Sequence, residues 1–106
     1  PDGVHLPPFV LRNFVRAKPA GRVLFTTDAM SGAGAGPGRY RIGRLEIDVG
    51  TDGIARQPGG NGFAGSTLTP DAGVRHCADF LGLSLDESAR LWSDEAADAF
   101  GITLSP

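Results

Sequence analysis

Hydrophobic and polar positions along the chain follow two different periods, and the changes of period divide the sequence into parts. Apolar residues recur at helical spacing near the amino terminus, alternate with polar residues in the middle, and return to helical spacing towards the carboxyl terminus. The pattern predicts an α/β fold. Its three predicted parts are residues 1–38, 39–66 and 67–106.

The first part contains a predicted helix with Phe9 and Phe14 on its buried side, followed by a run of apolar and β-branched residues at 22–27. Such a run is typical of a strand covered on both faces. Together with a strand mouth at residues 2–5, it predicts a βαβ step of a parallel sheet. Asp28 follows this strand, at the end where α/β barrels hold their reactive groups. An aspartate there can also simply cap its own loop.

The middle part is predicted to be a β-hairpin or small meander inserted after the Asp28 loop. Alternating apolar residues at 40–49 indicate half-buried strands, and glycine-rich turns, among them residues 59–62, separate the segments. The glycine-rich loop at 31–38 lacks both the spacing of a dinucleotide fingerprint and the lysine of a P-loop. A nucleotide site is therefore not indicated.

The last part is predicted to be helical. Thr69 and Pro70 suit the start of one helix, which Gly82 ends. Ser84 opens a second helix with a capping box, and Ser93 is expected to cap a third, short helix.

Composition and charge exclude several classes of partner. With 10 basic and 12 acidic residues the formal net charge is −2, so the chain lacks the basic surface that attracts nucleic acids or anionic membranes. No apolar stretch is long enough to span a bilayer. The single cysteine, Cys77, indicates a reducing cytoplasm and a role as a small hydrophobic residue, while His76 is expected to be solvated. Because the sequence begins at Pro1 without a signal-peptide pattern, we expect a piece of a larger protein.

His5 and Asp28 are the candidates for chemistry. Each lies at the mouth of a predicted strand, one βα unit apart, and successive strands of a parallel barrel are neighbours. The two side chains are therefore expected to line one cavity, as an acid/base or substrate-orienting pair. Alternatively, His5 is a loop histidine that bonds only to local backbone.

Several short motifs follow one another along most of the chain. They are Asp2-Gly3-Val4-His5-Leu6, Leu11-Arg12, Ala17-Lys18, Thr27-Asp28-Ala29-Met30, Gly38-Arg39-Tyr40, Asp52-Gly53-Ile54-Ala55 and Ala64-Gly65-Ser66-Thr67-Leu68-Thr69. In their order and spacing, these motifs make the sequence similar to the C-terminal portion of the N-acetylglucosamine-6-phosphate deacetylases, a family of the amidohydrolase superfamily.

The resemblance implies the C-terminal fragment of a (β/α)8 TIM-type barrel, comprising its last βα units, with the hairpin inserted in it. Members of the family hydrolyse the N-acetyl amide of N-acetylglucosamine 6-phosphate to glucosamine 6-phosphate and acetate. They use a divalent metal, zinc or iron, and are usually dimers. The partners implied are a small sugar phosphate, the remainder of the barrel and a second copy of the protein.

By the same resemblance, Asp28 is the catalytic residue. It would take a proton from metal-bound water, whose pKa the metal lowers to about 7, and pass it to the leaving amine. His5 would contact the sugar, and the backbone of Phe63, Ala64 and Gly65 would lie against the substrate, where glycine permits close approach. The family's metal ligands lie upstream of this sequence, so the chain alone is expected to bind no metal and to be inactive.

One departure leaves the substrate open. Asp94-Glu95-Ala96 stands where the family usually shows Asn-Pro-Ala. Two alternatives therefore remain beside the leading one: an amidohydrolase that acts on another amide, or a non-catalytic, truncated module that self-associates to cover its exposed sheet edges.

Overall fold

The computed structural model describes residues 1–60 and 62–105; Asn61, in the predicted turn at 59–62, and Pro106 lie outside the described residues. Within them, three helices and one three-stranded antiparallel sheet form the fold, which confirms the α/β class. In chain order the elements are α1 (Pro8–Arg16), β1 (Gly38–Ile42), β2 (Leu45–Val49), β3 (Ala55–Arg56), α2 (Pro70–Leu81) and α3 (Leu85–Phe100).

The predicted hairpin forms and carries a small core. β1 pairs antiparallel with β2, which places Tyr40 opposite Ile47, and β2 pairs in turn with β3. The core cluster consists of Met30, Ile47, Val49, Ala55 and Ala64, with Tyr40 packed against it. Because Met30 follows Asp28 so closely, its burial in this cluster fixes the Asp28 loop against the hairpin.

The two C-terminal helices meet closely at a glycine. A Cβ added at Gly73 would lie 2.5 Å from Cζ2 of Trp92, so the indole occupies the space that a side chain would need. Nearby, the buried Ser88 of α3 donates from Oγ to the carbonyl of Val74 at 2.6 Å. Close packing and a buried hydrogen bond together fix the position of α3 on α2.

The helix ends lie at the predicted residues, with one exception, although Thr69 makes no side-chain capping bond to the described part of α2. Gly82 ends α2 with a φ of 69°, and Oγ of Ser84 accepts from the N–H of Glu87 at 3.1 Å at the start of α3. The predicted third helix beginning at Ser93 is wrong, because α3 continues through that residue. The Ser93 hydroxyl donates to the carbonyl of Ala89, one turn back, at 3.0 Å.

α1 forms where predicted, but the expected burial of its apolar side is wrong. Phe9 is 62% exposed and Phe14 is 59% exposed, whereas Leu11 is buried. A hydrogen bond of 2.9 Å from Nε of Arg12 to the carbonyl of Phe80 attaches α1 to the end of α2. None of the described helices combines the length and the apolar character that crossing a membrane requires.

The predicted strand at 22–27 does not form within the described residues, and neither does the βαβ step that needs it. A parallel strand exists only through hydrogen bonds to neighbouring strands, and the one sheet that the structure describes contains only β1, β2 and β3. The apolar side chains of the segment make other contacts. Phe25 stacks on Trp92 with ring centroids 5.8 Å apart, while Leu24 remains exposed.

Candidate functional site

Asp28 and His5 lie at one cleft, as the sequence predicts. The cleft has a volume of about 360 Å³, and both residues line it. Asp2, Leu6, Ser66 and the chain around residue 27 contribute to its walls. The volume is within the range of small-molecule sites, so the cleft has room for one small ligand beside both residues.

The backbone holds Asp28 in the left-handed region, with a φ of 52°. Aspartate tolerates this conformation better than most residues do. Ser66 fixes the loop through two bonds of 2.9 Å each: its N–H donates to the carbonyl of Asp28, and its carbonyl accepts from the N–H of Met30. We call this pair of bonds the Ser66 bridge. Both bonds are made by the main chain, so neither uses the exposed Asp28 carboxylate.

Gly65 is required by the Asp28 loop. Its φ is 75°, and an added Cβ would lie 3.3 Å from the carbonyl oxygen of Asp28 and 3.4 Å from Cβ of Met30. From the sequence, the glycine at this position is expected to let a ligand approach the main chain. The close approach that the structure shows is made by the protein's own loop.

His5 is held by Asp2, which is not among the predicted site residues. Oδ2 of Asp2 lies 2.7 Å from Nδ1 of His5. Oδ1 of Asp2 accepts from the N–H groups of Val4, at 2.9 Å, and of His5, at 3.1 Å. Partial burial alone would raise the pKa of the Asp2 carboxyl, but the hydrogen bonds outweigh it and lower that pKa. Asp2 is therefore held as a carboxylate that fixes one ring nitrogen of His5.

Phe63 and Ala64 occupy different surroundings. The Phe63 ring is half exposed, and its centroid lies 5.1 Å from that of the His5 imidazole, at an interplanar angle of 60°. Ala64 is buried in the hairpin core, and its N–H donates to the carbonyl of Ala55 at 3.0 Å. The structure therefore brings Phe63 beside His5 and Gly65 beside Asp28, while the Ala64 N–H is committed to the hairpin.

The prediction that His76 is solvated is wrong. The residue is half-buried, its Nδ1 lies 3.0 Å from the carbonyl oxygen of Pro1, and its ring centroid lies 5.3 Å from that of Phe80. His76 lines a second cavity, of about 230 Å³, together with His5 and Asp2. The prediction failed because the N-terminal segment folds back onto α2, and this long-range contact leaves no trace in the local sequence pattern.

Sequence reasoning also missed the contributions of Asp2 and Ser66. Asp2 carried a usable signal, since an aspartate followed by glycine is typical of a turn in which the carboxylate accepts backbone N–H groups. Ser66 carried none, because it holds Asp28 through its main chain. Its hydroxyl is occupied elsewhere, accepting from the N–H of Leu68 at 2.8 Å.

No group of three or more His, Cys, Asp or Glu side chains that could hold an ion occurs among residues 1–60 and 62–105. In the cleft, Asp28 and His5 are possible donors, and Asp2 already engages one nitrogen of His5. Catalytic zinc sites use three protein ligands, which is more than this pair can supply.

The cleft can support proton transfer and hydrogen bonding to a polar ligand. An exposed carboxylate can act first as a general base and then as a general acid. An imidazole whose Nδ1 is already engaged has Nε2 left for a ligand. These are functions that the hydrolysis of a polar substrate requires.

Comparisons with known proteins agree on one kind of enzyme. The chain is 37% identical over 103 residues to the N-acetylglucosamine-6-phosphate deacetylase of Danio rerio, an alignment that covers 96% of this chain and 25% of the relative. It is 36% identical over 81 residues to the N-acetylgalactosamine-6-phosphate deacetylase of Escherichia coli O157:H7, which covers 76% of this chain and 21% of the relative. No family model matches the chain.

Structural comparison leads to the same group. A variant of the N-acetyl-D-glucosamine-6-phosphate deacetylase of Mycobacterium smegmatis, in complex with N-acetyl-D-glucosamine-6-phosphate, matches with a TM-score of 0.83 and 34% identity. The match covers 95% of this chain and 27% of that structure. The resemblance seen in the sequence is thus confirmed, and the chain spans about a quarter of the length of the two curated relatives named above.

Proposed function

We propose that this chain supplies the Asp28 side of the active site of an N-acetylglucosamine-6-phosphate deacetylase. The premise is that the chain is homologous to a segment that makes up about a quarter of the length of these enzymes. The whole protein would hydrolyse the N-acetyl amide of N-acetylglucosamine 6-phosphate. Water adds to the carbonyl carbon, the C–N bond breaks, and acetate and glucosamine 6-phosphate are released. The observation that carries the proposal is the cleft shared by Asp28 and His5.

In this proposal Asp28 moves the proton. As a carboxylate it takes a proton from the attacking water, and as a carboxylic acid it returns that proton to the amine nitrogen while the C–N bond breaks. The Ser66 bridge supports this role, because it holds the residue through the main chain. The bridge itself uses neither carboxylate oxygen, so it does not compete with water or substrate for them.

His5 and the chain at 63–65 orient the sugar. Asp2 engages Nδ1 of His5, so Nε2 is the ring nitrogen that would meet a sugar hydroxyl. The Phe63 ring packs against the imidazole and limits its movement. Ser66, next to Gly65, lines the cleft, and in this proposal the substrate lies along that segment.

Two further parts of the enzyme would come from outside this segment. A divalent metal, zinc or iron, would be held by residues elsewhere in the protein, because the described residues lack a sufficient set of metal ligands. The roles proposed for residues of this chain do not include binding that metal. The rest of a (β/α)8 barrel would cover an apolar groove of about 470 Å³, which Phe14 and Leu24 line between α1 and the segment at 22–27. Dimerisation stays a prediction from the resemblance.

The decisive test is Asp28→Asn in the whole protein. Asparagine tolerates the left-handed backbone conformation and keeps the size of the side chain, but it cannot exchange a proton. We expect kcat for N-acetylglucosamine 6-phosphate to fall by roughly 10²–10⁴, with KM nearly unchanged, because general acid–base catalysis contributes about that much. Steady-state kinetics of acetate release measures both constants.

The matched control is Asp48→Asn. Asp48 lies on the hairpin and pairs with Arg39 at 2.8 Å, in an exposed ion pair that is worth little, so we expect unchanged kinetics. Full activity of the Asp28→Asn enzyme would contradict the role of Asp28. A wild-type protein that releases no acetate from the substrate would contradict the proposed function itself.

N-acetylgalactosamine 6-phosphate is a second candidate substrate, because a deacetylase named for that sugar also matches this chain. The two sugars differ in the orientation of one hydroxyl, while Asp28 would serve the amide of either. Comparing kcat/KM for both substrates in the whole protein decides between them. A higher value for the galactosamine derivative would replace our first choice of substrate and leave the proposed chemistry intact.

A further inference from the structure

We infer that Asp2 is a positioning residue for His5: it fixes the imidazole so that Nε2 presents an unprotonated acceptor to the cleft, where a hydroxyl group of the ligand binds. The identity of that ligand rests on the proposed function. The geometry rests only on the contacts of Asp2 and His5.

Asp2 uses both carboxylate oxygens to hold the segment that carries His5. Oδ1 accepts the backbone N–H groups of Val4 and His5, which closes a turn, and Oδ2 meets Nδ1 of the ring at 2.7 Å. The Asp2 side chain is only 16% exposed. One carboxylate therefore sets both the backbone of the turn and the orientation of the imidazole.

The contact also determines where the ring carries its proton. A carboxylate can only accept a hydrogen bond, so Nδ1 must donate in this pair. In a neutral imidazole, the lone pair then lies on Nε2. Nε2 then accepts a hydrogen bond from a hydroxyl or N–H group of a ligand. The tautomer of the imidazole thus depends on Asp2.

The surroundings of the ring fit this role. The Phe63 ring lies 5.1 Å away and limits rotation of the imidazole, yet the His5 side chain keeps 41% of its surface exposed. His5 lines the cleft that contains Asp28. In the proposal, Nε2 binds the ligand in this cleft, beside the proposed catalytic carboxylate.

The test uses the whole protein labelled with ¹⁵N-histidine, at alkaline pH, with the His5 signals assigned by their loss in His5→Gln. We expect the wild type to show a protonated Nδ1 and an unprotonated Nε2. In Asp2→Asn the amide oxygen still accepts the backbone N–H groups, but its NH₂ group can donate to Nδ1, so the proton should move to Nε2. KM for N-acetylglucosamine 6-phosphate should then rise roughly three- to tenfold, with kcat nearly unchanged.

The matched control is Asp52→Asn. Asp52 forms a similar turn, in which Oδ1 accepts from the N–H of Ile54 at 3.0 Å, and it pairs with Arg56 rather than with a histidine. We expect neither the His5 tautomer nor KM to change. A control that shifts both would overturn the inference, because the effect would then not be specific to Asp2.

Two other results would overturn the inference: an unchanged tautomer in Asp2→Asn, or a changed tautomer with an unchanged KM. Both can be distinguished from failure of the proposed function. If the wild type hydrolyses neither amino-sugar phosphate, the function fails, while the ¹⁵N spectra still report on Asp2 without any substrate. If hydrolysis is normal and the His5 tautomer is the same in Asp2→Asn as in the wild type, the proposed function stands and the positioning role of Asp2 fails.

Discussion

Single residues decide where the proposed catalytic carboxylate lies. Asp28 adopts a positive φ, and Gly65 approaches its carbonyl so closely that a Cβ would lie within 3.3 Å of the oxygen. The two positions depend on each other, because Ser66, next to Gly65, carries the bridge to Asp28. A change at position 65 should therefore affect Asp28 without any contact with its carboxylate.

We predict that Gly65→Ala destabilises the protein and lowers its activity. Alanine at a φ of 75° costs about 1–2 kcal/mol, and the added Cβ also pushes on the Asp28 loop. Urea unfolding measures the loss of stability, and kcat of the whole protein should fall at least severalfold because the carboxylate is displaced.

Gly62→Ala is the control for that substitution. Position 62 lies on the same connection, and a Cβ there meets no atom within 4 Å. Stability and kcat should stay close to the wild-type values. If Gly65→Ala behaved like Gly62→Ala, the close packing of Gly65 against the Asp28 loop would not matter for function.

The contact between α2 and α3 leaves no room for a side chain at Gly73. We predict that Gly73→Ala destabilises the protein by about 1–3 kcal/mol, because the Cβ would overlap the Trp92 ring at 2.5 Å. In a helix, alanine is favoured over glycine by about 1 kcal/mol. The sign of the net change in stability therefore shows whether the overlap with Trp92 outweighs this gain. The change in the free energy of unfolding measures it.

A second variant shows whether the indole is the cause. Trp92→Phe removes the ring atoms nearest to Gly73, so Gly73→Ala should cost less in that background, which a double-mutant cycle measures. Asp79→Ala is the control on the exposed side of α2 and should change stability little. An equal cost of Gly73→Ala in both backgrounds would contradict the packing argument.

Elements whose causes are local could be predicted from the sequence. Gly82 and Ser84 mark the ends of α2 and α3 because a left-handed glycine and a capping serine act through their own neighbours. Ser93 was misleading, since a serine hydroxyl can cap a new helix or bond one turn back, and packing of α3 on α2 decides between the two. The strand at 22–27 could not be judged at all, because its existence depends on neighbouring strands.

The site was predictable to a similar extent. His5 and Asp28 do line one cleft, although the βαβ step from which the sequence predicts this does not form within the described residues. The partners that hold them could not be placed so readily. Ser66 acts through its main chain, and His76 and Pro1, which are in contact, lie 75 residues apart in the sequence. Neither interaction therefore follows from the local sequence pattern.

The molecule as a whole is expected to need more protein than this chain. We predict that the isolated 106-residue polypeptide releases no acetate from N-acetylglucosamine 6-phosphate and binds less than one zinc per chain, because its described residues include no adequate donor set. Acetate assays and metal analysis after dialysis measure the two quantities. The whole protein, treated identically, is the positive control, and hydrolysis by the isolated polypeptide would contradict the prediction.

The Ser66 bridge also links the Asp28 loop to the hairpin. Ala64 is hydrogen-bonded to β3, and two residues later Ser66 is hydrogen-bonded to the Asp28 loop, so hairpin and carboxylate are joined by short, stiff backbone connections. A molecule that binds the outer face of the hairpin and shifts the hairpin slightly would also shift the Asp28 carboxylate. The rate of proton transfer would then respond to binding at the hairpin.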